Sequence, residues 1–247
     1  MNVGVYGLGR FGRFWAQVLA QRHSVFVANR SARPIPPGTV GVPLEGLVEC
    51  DAVFLCVAIS AMEEVVETVA SAVPEGTTLI DTCSVKLHPL EVFRRMVPDR
   101  PYLLTHPMFG PDSARGGVAG LPIILSGGTV AESEYEVWLE TFGDLGLRVI
   151  EMSADDHDRE AAFTQGITHF VGRVLADLEL SESRIATLGY RKLLEVMEQT
   201  CNDPYTLFVD LQRYNPFTSQ MRSQLQESLT RIMASLEGKL DSSSDGG

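Results

Sequence analysis

The sequence predicts an α/β protein, a doubly wound and mostly parallel sheet followed by an all-α domain, and three observations carry that prediction. Short β-branched runs alternate with helical segments through the first half of the chain, strand-like runs stop near residue 153, and a glycine-rich turn stands directly behind the first run.

Taken in order, residues 3–6, 24–28, 51–58, 78–82, 102–105, 121–125 and 148–152 are short apolar runs with turn residues around them, and they read as strands. The stretches around 11–21, 60–72, 87–96 and 132–143 space their apolar residues by three and four and read as helices. Strands separated by helices pair in parallel through crossovers, which gives the doubly wound sheet. From Ala154 onward helical periodicity takes over, with helices expected at 157–178, 182–201, 204–214 and 217–236 and with Pro204 and Pro216 as breaks between them. The expected division is therefore a sheet domain over 1–153, a helical domain over 154–240 and a polar, disordered tail over 241–247 (DSSSDGG).

Of the 247 residues, 45% are hydrophobic and 21% charged, as in an ordinary water-soluble globular protein. The formal net charge of −12 argues against nucleic acid or an anionic membrane as the main partner, since both reward a basic face. The start MNVGVYGLG has no basic region followed by an apolar stretch, and no apolar run approaches the roughly 20 residues that span a bilayer. A cytoplasmic protein is expected. Cys50, Cys56, Cys83 and Cys201 lack the CxxC spacing of a zinc or redox motif, so free thiols and no metal are expected.

The turn Gly7-Leu8-Gly9-Arg10-Phe11-Gly12 leaves a strand and opens a helix, the context in which G-x-G-x-x-G binds a dinucleotide. Its first glycine permits the tight turn, the second lets backbone approach a pyrophosphate, and the third lets helix and strand pack closely. The free N–H groups of the helix start then face the phosphates. The next strand ends in Asn29-Arg30-Ser31, where an NAD site would carry an acidic residue for the ribose hydroxyls. Donors and a positive charge suit a 2′-phosphate instead, so NADP is favoured.

Ligands of such a sheet lie beyond the carboxyl ends of its strands. Ser84 and Lys86 follow the 78–82 strand and His106 follows the 102–105 strand, so strand polarity brings all three to that edge.

The runs GLGRFG (7–12), DTCSVK (81–86), THPMFGPDS (105–113), DDHDREAAFTQGITHFVGRVL (155–175) and LGYRKLLEVMEQT (188–200) together resemble the prephenate and arogenate dehydrogenases of tyrosine biosynthesis, over nearly the whole chain. Within that family the chain is most similar to the compact, NADP-using arogenate dehydrogenases of plant type, with no appended chorismate mutase or regulatory domain. The resemblance implies a Rossmann-type domain followed by a helical substrate-binding and dimerisation domain. It also implies an oxidative decarboxylation: hydride passes from a cyclohexadienol to the nicotinamide, the hydroxyl proton is removed, carbon dioxide leaves and the ring becomes aromatic. His106 matches the family's catalytic histidine, a base of suitable ordinary pKa, and Ser84 matches the serine that orients the same hydroxyl.

In the helical half, Gln165 and His169 are four residues apart on one helix face and match substrate contacts. A bacterial arginine for the ring carboxylate falls near Glu198 or Gln199, neither of which replaces it, which leaves Lys86, Arg191 and Arg213 as candidates. Asp203 matches an aspartate that favours arogenate by attracting its ammonium; it also reads as a helix cap before Pro204. The competing readings are an NADP-dependent β-hydroxyacid or imine reductase, which would use Lys192 or Lys239, and a non-catalytic NADP-binding regulator. A homodimer through the helical half is expected from the apolar spacing of Leu225, Leu229, Ile232 and Leu236.

Overall fold

The computed structural model describes residues 1–238; Lys239 and the 241–247 tail lie outside the described residues. By contacts the chain divides into two compact units. The first comprises Met1–Asp158 together with Asp203–Asn215, and the second comprises Arg159–Asn202 and the residues from Pro216 onward.

The first unit is built on strands β1 (Asn2–Tyr6), β2 (Ser24–Ala28), β3 (Val40–Gly41), β4 (Ala52–Leu55), β5 (Thr78–Asp81), β6 (Tyr102–Pro107), β7 (Pro122–Gly128) and β8 (Arg148–Glu151). They form one sheet in the order β3-β2-β1-β4-β5-β6-β7-β8, parallel except for β6 with β7. The expected fold class is the observed one. Helices α1 (Arg10–Leu19), α2 (Met62–Ala72), α3 (Leu87–Met96) and α4 (Glu132–Asp144) are the crossovers.

Alternation along the strands splits the interior into two apolar layers. Val3, Val5 and Phe54 face Trp15, Trp138 and Phe142 on one side, while Val53, Leu55 and Leu79 face Val66, Val69 and Phe93 on the other. Strand order reverses between β1 and β4, and the crevice beyond their carboxyl ends is where such sheets bind ligands. β4 is buried throughout and β1 from Val3 to Tyr6, so the loops that follow them start from a rigid base.

Several elements differ from expectation. The two-residue β3 is too short to show as an apolar run. The strand ending at β6 runs on through His106 and Pro107, because antiparallel β7 pairs His106 with Ile124 and Pro107 with Ile123. Helix α5 (Ala154–Ala161) starts earlier than 157, and a π turn over Ala162–Gly166 separates it from α6 (Ile167–Asp177). Helix α7 (Leu188–Cys201) starts six residues later than the expected 182, since the Thr187 hydroxyl accepts the Tyr190 N–H and caps it there.

Helix α8 (Tyr205–Tyr214) belongs to the sheet unit although it is flanked in sequence by helices of the second unit. Ser60 donates to Asp210 Oδ2 from its N–H at 3.1 Å and its hydroxyl at 2.8 Å, and the His88 and Tyr214 rings lie 4.3 Å apart. Leu211 completes the apolar layer below. In the second unit, α6 and α7 pack closely enough that a Cβ on Gly172 would fall 2.0 Å from the Thr200 hydroxyl. Helix α9 (Thr218–Leu236) closes that unit.

Candidate active site

The glycine turn after β1 has a shape that only glycine permits at two of its positions. Gly7 has φ +104°, and a Cβ there would lie 2.3 Å from the Cys56 carbonyl oxygen. A Cβ on Gly12 would lie 1.9 Å from the Gly7 carbonyl oxygen, so the absence of a side chain sets how closely α1 approaches β1. Gly9 differs, because nothing stands within 4 Å of the position its Cβ would take. This open face, at the start of a helix whose N-cap supplies no side-chain hydrogen bond, fits a pyrophosphate.

Asn29 is drawn into the turn itself. Its Oδ1 accepts the Leu8 N–H at 2.8 Å and its Nδ2 donates to the Ser31 carbonyl at 2.8 Å, so it ties the end of β2 to the glycine loop. The Ser31 hydroxyl lies a further 3.3 Å from Nδ2, so the amide is engaged within the turn at both ends. Ser31 and Arg30 remain exposed, with the Arg30 guanidinium 3.2 Å from Glu64. Arg10 turns its side chain to Asp112, and also lies 3.4 Å from Asp203. The cap position of α8 is held by Pro204, without a side-chain bond, which puts Asp203 one residue ahead of the cap that its sequence position suggests.

At the ends of β5 and β6 the polar groups are layered. Lys86 is fully buried and forms an ion pair with the equally buried Asp81. Asp81 also accepts the Cys83 N–H at 2.9 Å and the Thr105 N–H at 3.0 Å. Burial pushes the Asp81 carboxyl up and the Lys86 ammonium pulls it back. Lys86 thus corrects the expectation that it meets a substrate carboxylate: its charge is committed to Asp81 beneath the site.

Above this pair stands His106, whose ring is 2% exposed. Its Nδ1 is 2.8 Å from His157 Nε2, and His157 Nδ1 is 2.8 Å from Asp158 Oδ1. Asp158 also accepts the Lys86 N–H at 2.7 Å and the Leu87 N–H at 2.9 Å, so one carboxylate closes the start of α3 and holds an imidazole. His106 Nε2 has no hydrogen-bond partner among the described residues. Burial, then the neighbouring His157 and Lys86, hold His106 well below the usual histidine range. Ser84 follows adjacent β5 and is half-buried, with its hydroxyl unpaired among the described residues.

Thiol chemistry beside this site is disfavoured, because burial pushes Cys56 up to about 12 and Cys83 well above the ordinary value.

The structure brings together Ser84 and His106 at neighbouring strand ends, and the glycine turn with Asn29 and Ser31. Arg213 is exposed on α8 of the same unit. In the second unit Gln165 lies in the π turn, His169 is buried on α6, and Arg191 and Lys192 are exposed on α7. His157 and Asp158 were not singled out in the sequence. The signal there is a His-Asp pair inside an acidic helix start, within the matched run 155–175 and 51 residues from His106.

A sheet with a glycine cradle at its switch point and a buried imidazole on β6, at the same carboxyl edge of the sheet, defines a nucleotide-binding dehydrogenase fold. Residues 38–129 match the family described as prephenate dehydrogenase, nucleotide-binding domain, and 174–246 match the TYRAAT1-like, C-terminal domain. The chain is 32% identical over 98% of its length to arogenate dehydrogenase 1, chloroplastic, of Arabidopsis thaliana, and spans 40% of that protein. It is 31% identical over 97% of its length to arogenate dehydrogenase 2, chloroplastic, of the same plant, and spans 71% of it. The crystal structure of prephenate dehydrogenase from A. aeolicus with hydroxyphenyl propionate and NAD+ shares the fold at TM-score 0.75 and 17% identity, over 96% of this chain and 91% of that one. The chain belongs to the prephenate and arogenate dehydrogenase family.

Proposed function

We propose that the chain is an NADP-dependent dehydrogenase that oxidatively decarboxylates arogenate in preference to prephenate. The observation that carries this reading is His106, a buried neutral imidazole with one nitrogen spoken for and the other bare, at the strand edge where the glycine cradle opens. A nicotinamide cofactor held at its pyrophosphate by the glycine turn would supply the hydride acceptor for the carbinol carbon. His106 Nε2 accepts the hydroxyl proton, and the O–H electron pair left behind forms the carbonyl as hydride leaves; as carbon dioxide departs, the electrons of its C–C bond pass through the ring to that oxygen, which takes the proton back from His106 to give the phenol. Ser84 orients the hydroxyl through its unpaired side chain.

Arogenate is the preferred substrate in this reading because Asp112 and Asp203 flank Arg10 on the cradle side, an arrangement that suits an ammonium beside a carboxylate better than two carboxylates. NADP is preferred because Arg30 and Ser31 stand exposed at the end of β2, with no acidic side chain among residues 29–31. The testing experiment follows reduced-cofactor absorbance with arogenate and prephenate, each with NADP and NAD. Arogenate with NADP is expected to give the highest kcat/KM. Arg30→Ala should lower the NADP-to-NAD preference about 10–100-fold, the worth of a charge-assisted bond. No hydride transfer with either substrate would overturn the reading.

A homodimer and a cytoplasmic location belong to the same reading. Leu229, Ile232, Met233 and Leu236 are exposed and three or four residues apart along α9, and this reading assigns that apolar stripe to the second copy. Sedimentation should give twice the 27.0 kDa chain mass, and Leu229→Glu with Ile232→Glu should halve it. No helix among the described residues is long and apolar enough to cross a membrane.

A further inference from the structure

The hydrogen-bond chain through His106 permits only certain placements of its protons. Asp158, when ionised, is purely an acceptor, and it already takes two backbone N–H groups. The ring nitrogen facing it, His157 Nδ1, therefore carries a proton. In the neutral ring His157 Nε2 is then a lone pair, and the nitrogen 2.8 Å away, His106 Nδ1, must donate to it. Two bare nitrogens, or two N–H groups, would repel at that distance. The proton of neutral His106 is thereby confined to Nδ1, and the lone pair to Nε2.

We propose that His157, oriented by Asp158, is a positioning residue that locks His106 in the Nδ1–H tautomer and so makes Nε2 the basic nitrogen. The proposal rests on the reading of His106 as the base. An imidazole without such a partner exchanges between tautomers, and the Nε2–H form presents a donor, not a base, to a substrate hydroxyl. Once Nε2 has taken a proton, the Nδ1–H bond to His157 Nε2 is kept, so the ring holds its orientation through the transfer. The buried Asp81 offsets Lys86 from below, and Asp158 faces the pair from α5.

Two variants separate the lock from mere packing. His157→Gln keeps a carbonyl oxygen that can accept from His106 Nδ1–H, whereas His157→Leu fills space and accepts nothing. The Leu variant is expected to lose about 10²-fold in kcat or more, with KM and NADP binding little changed, while Gln stays within about 10-fold of the parent. Nitrogen-15 spectra of the imidazoles report the tautomer directly, in the unaltered protein and without turnover. His106 should show a protonated Nδ1 and a bare Nε2, and His157→Leu should mix the two forms. A neutral His106 protonated on Nε2 in the unaltered protein, or full kcat in the Leu variant, would overturn the lock. Should the spectra show the lock while neither substrate is oxidised, the lock stands and the functional reading falls.

Discussion

Replacing His106 with asparagine is expected to lower kcat by about 10²–10⁴ while leaving NADP affinity nearly unchanged. The asparagine amide can still meet His157, so the buried polar chain stays satisfied, but no atom of it can take a proton at neutral pH. The cradle that holds the cofactor lies on β1 and α1 and does not involve His106. Steady-state kinetics combined with fluorescence titration of NADP check both halves of the expectation. The pH profile adds a sign. Because burial, His157 and Lys86 hold His106 below its ordinary value of 6.5, the base is unprotonated throughout neutrality. The acid limb of kcat/KM should therefore fall below 6.5, and a limb at or above it would mean that another group is titrating. The same shift makes the folded state bind fewer protons than the unfolded chain. His106 thus costs stability as the pH falls through the unfolded value, and this contribution vanishes above it.

The largest loss of stability is expected from Lys86→Met. With the ammonium gone, Asp81 is left as a charge with 0% exposure, held only by the N–H groups of Cys83 and Thr105. Removing one member of a buried pair costs about 3–5 kcal/mol. Urea unfolding followed by the tryptophan signal measures it, provided the m value is unchanged. Adding Asp81→Asn to the Lys86→Met variant should recover part of the loss, since it removes the stranded charge. A change below about 1 kcal/mol in the single variant would show that the pair is not buried in solution. Loss of this pair would also reach His106, because the Lys86 N–H holds Asp158 and Asp158 holds His157.

Much of this arrangement was legible in the sequence because it follows from local pattern. The apolar runs and their spacing yield the sheet, and GLGRFG yields the cradle, since Gly7 and Gly12 stand where any side chain collides with backbone. Strand polarity alone placed Ser84 and His106 at one edge. What stayed hidden depends on partners distant in the chain. Lys86 reads as a polar residue past a strand, and only the folded sheet sets Asp81 and the Thr105 carbonyl around it. Asp203 reads as a cap before proline, until Arg10 comes within 3.4 Å from a position 193 residues away. His106 reads as lying past a strand end because proline marks a stop, whereas antiparallel β7 extends the pairing through Pro107. The long helix expected from 157 carries a π turn that no three- or four-residue periodicity reveals, since its apolar spacing runs on across the insertion. Helix α8 is flanked in sequence by helices of the second unit, yet the Ser60–Asp210 bonds seat it on the sheet unit.

The most direct test of the central claim is a crystal structure of the protein with NADP and a bound phenolic product, either tyrosine or 4-hydroxyphenylpyruvate. The account requires His106 Nε2 within about 2.6–3.2 Å of the phenolic oxygen, with the Ser84 hydroxyl at the same oxygen. The nicotinamide ring must lie against the carbon that bears it. A product ring held with its oxygen turned away from His106, or with Nε2 engaged by the protein instead, would contradict it.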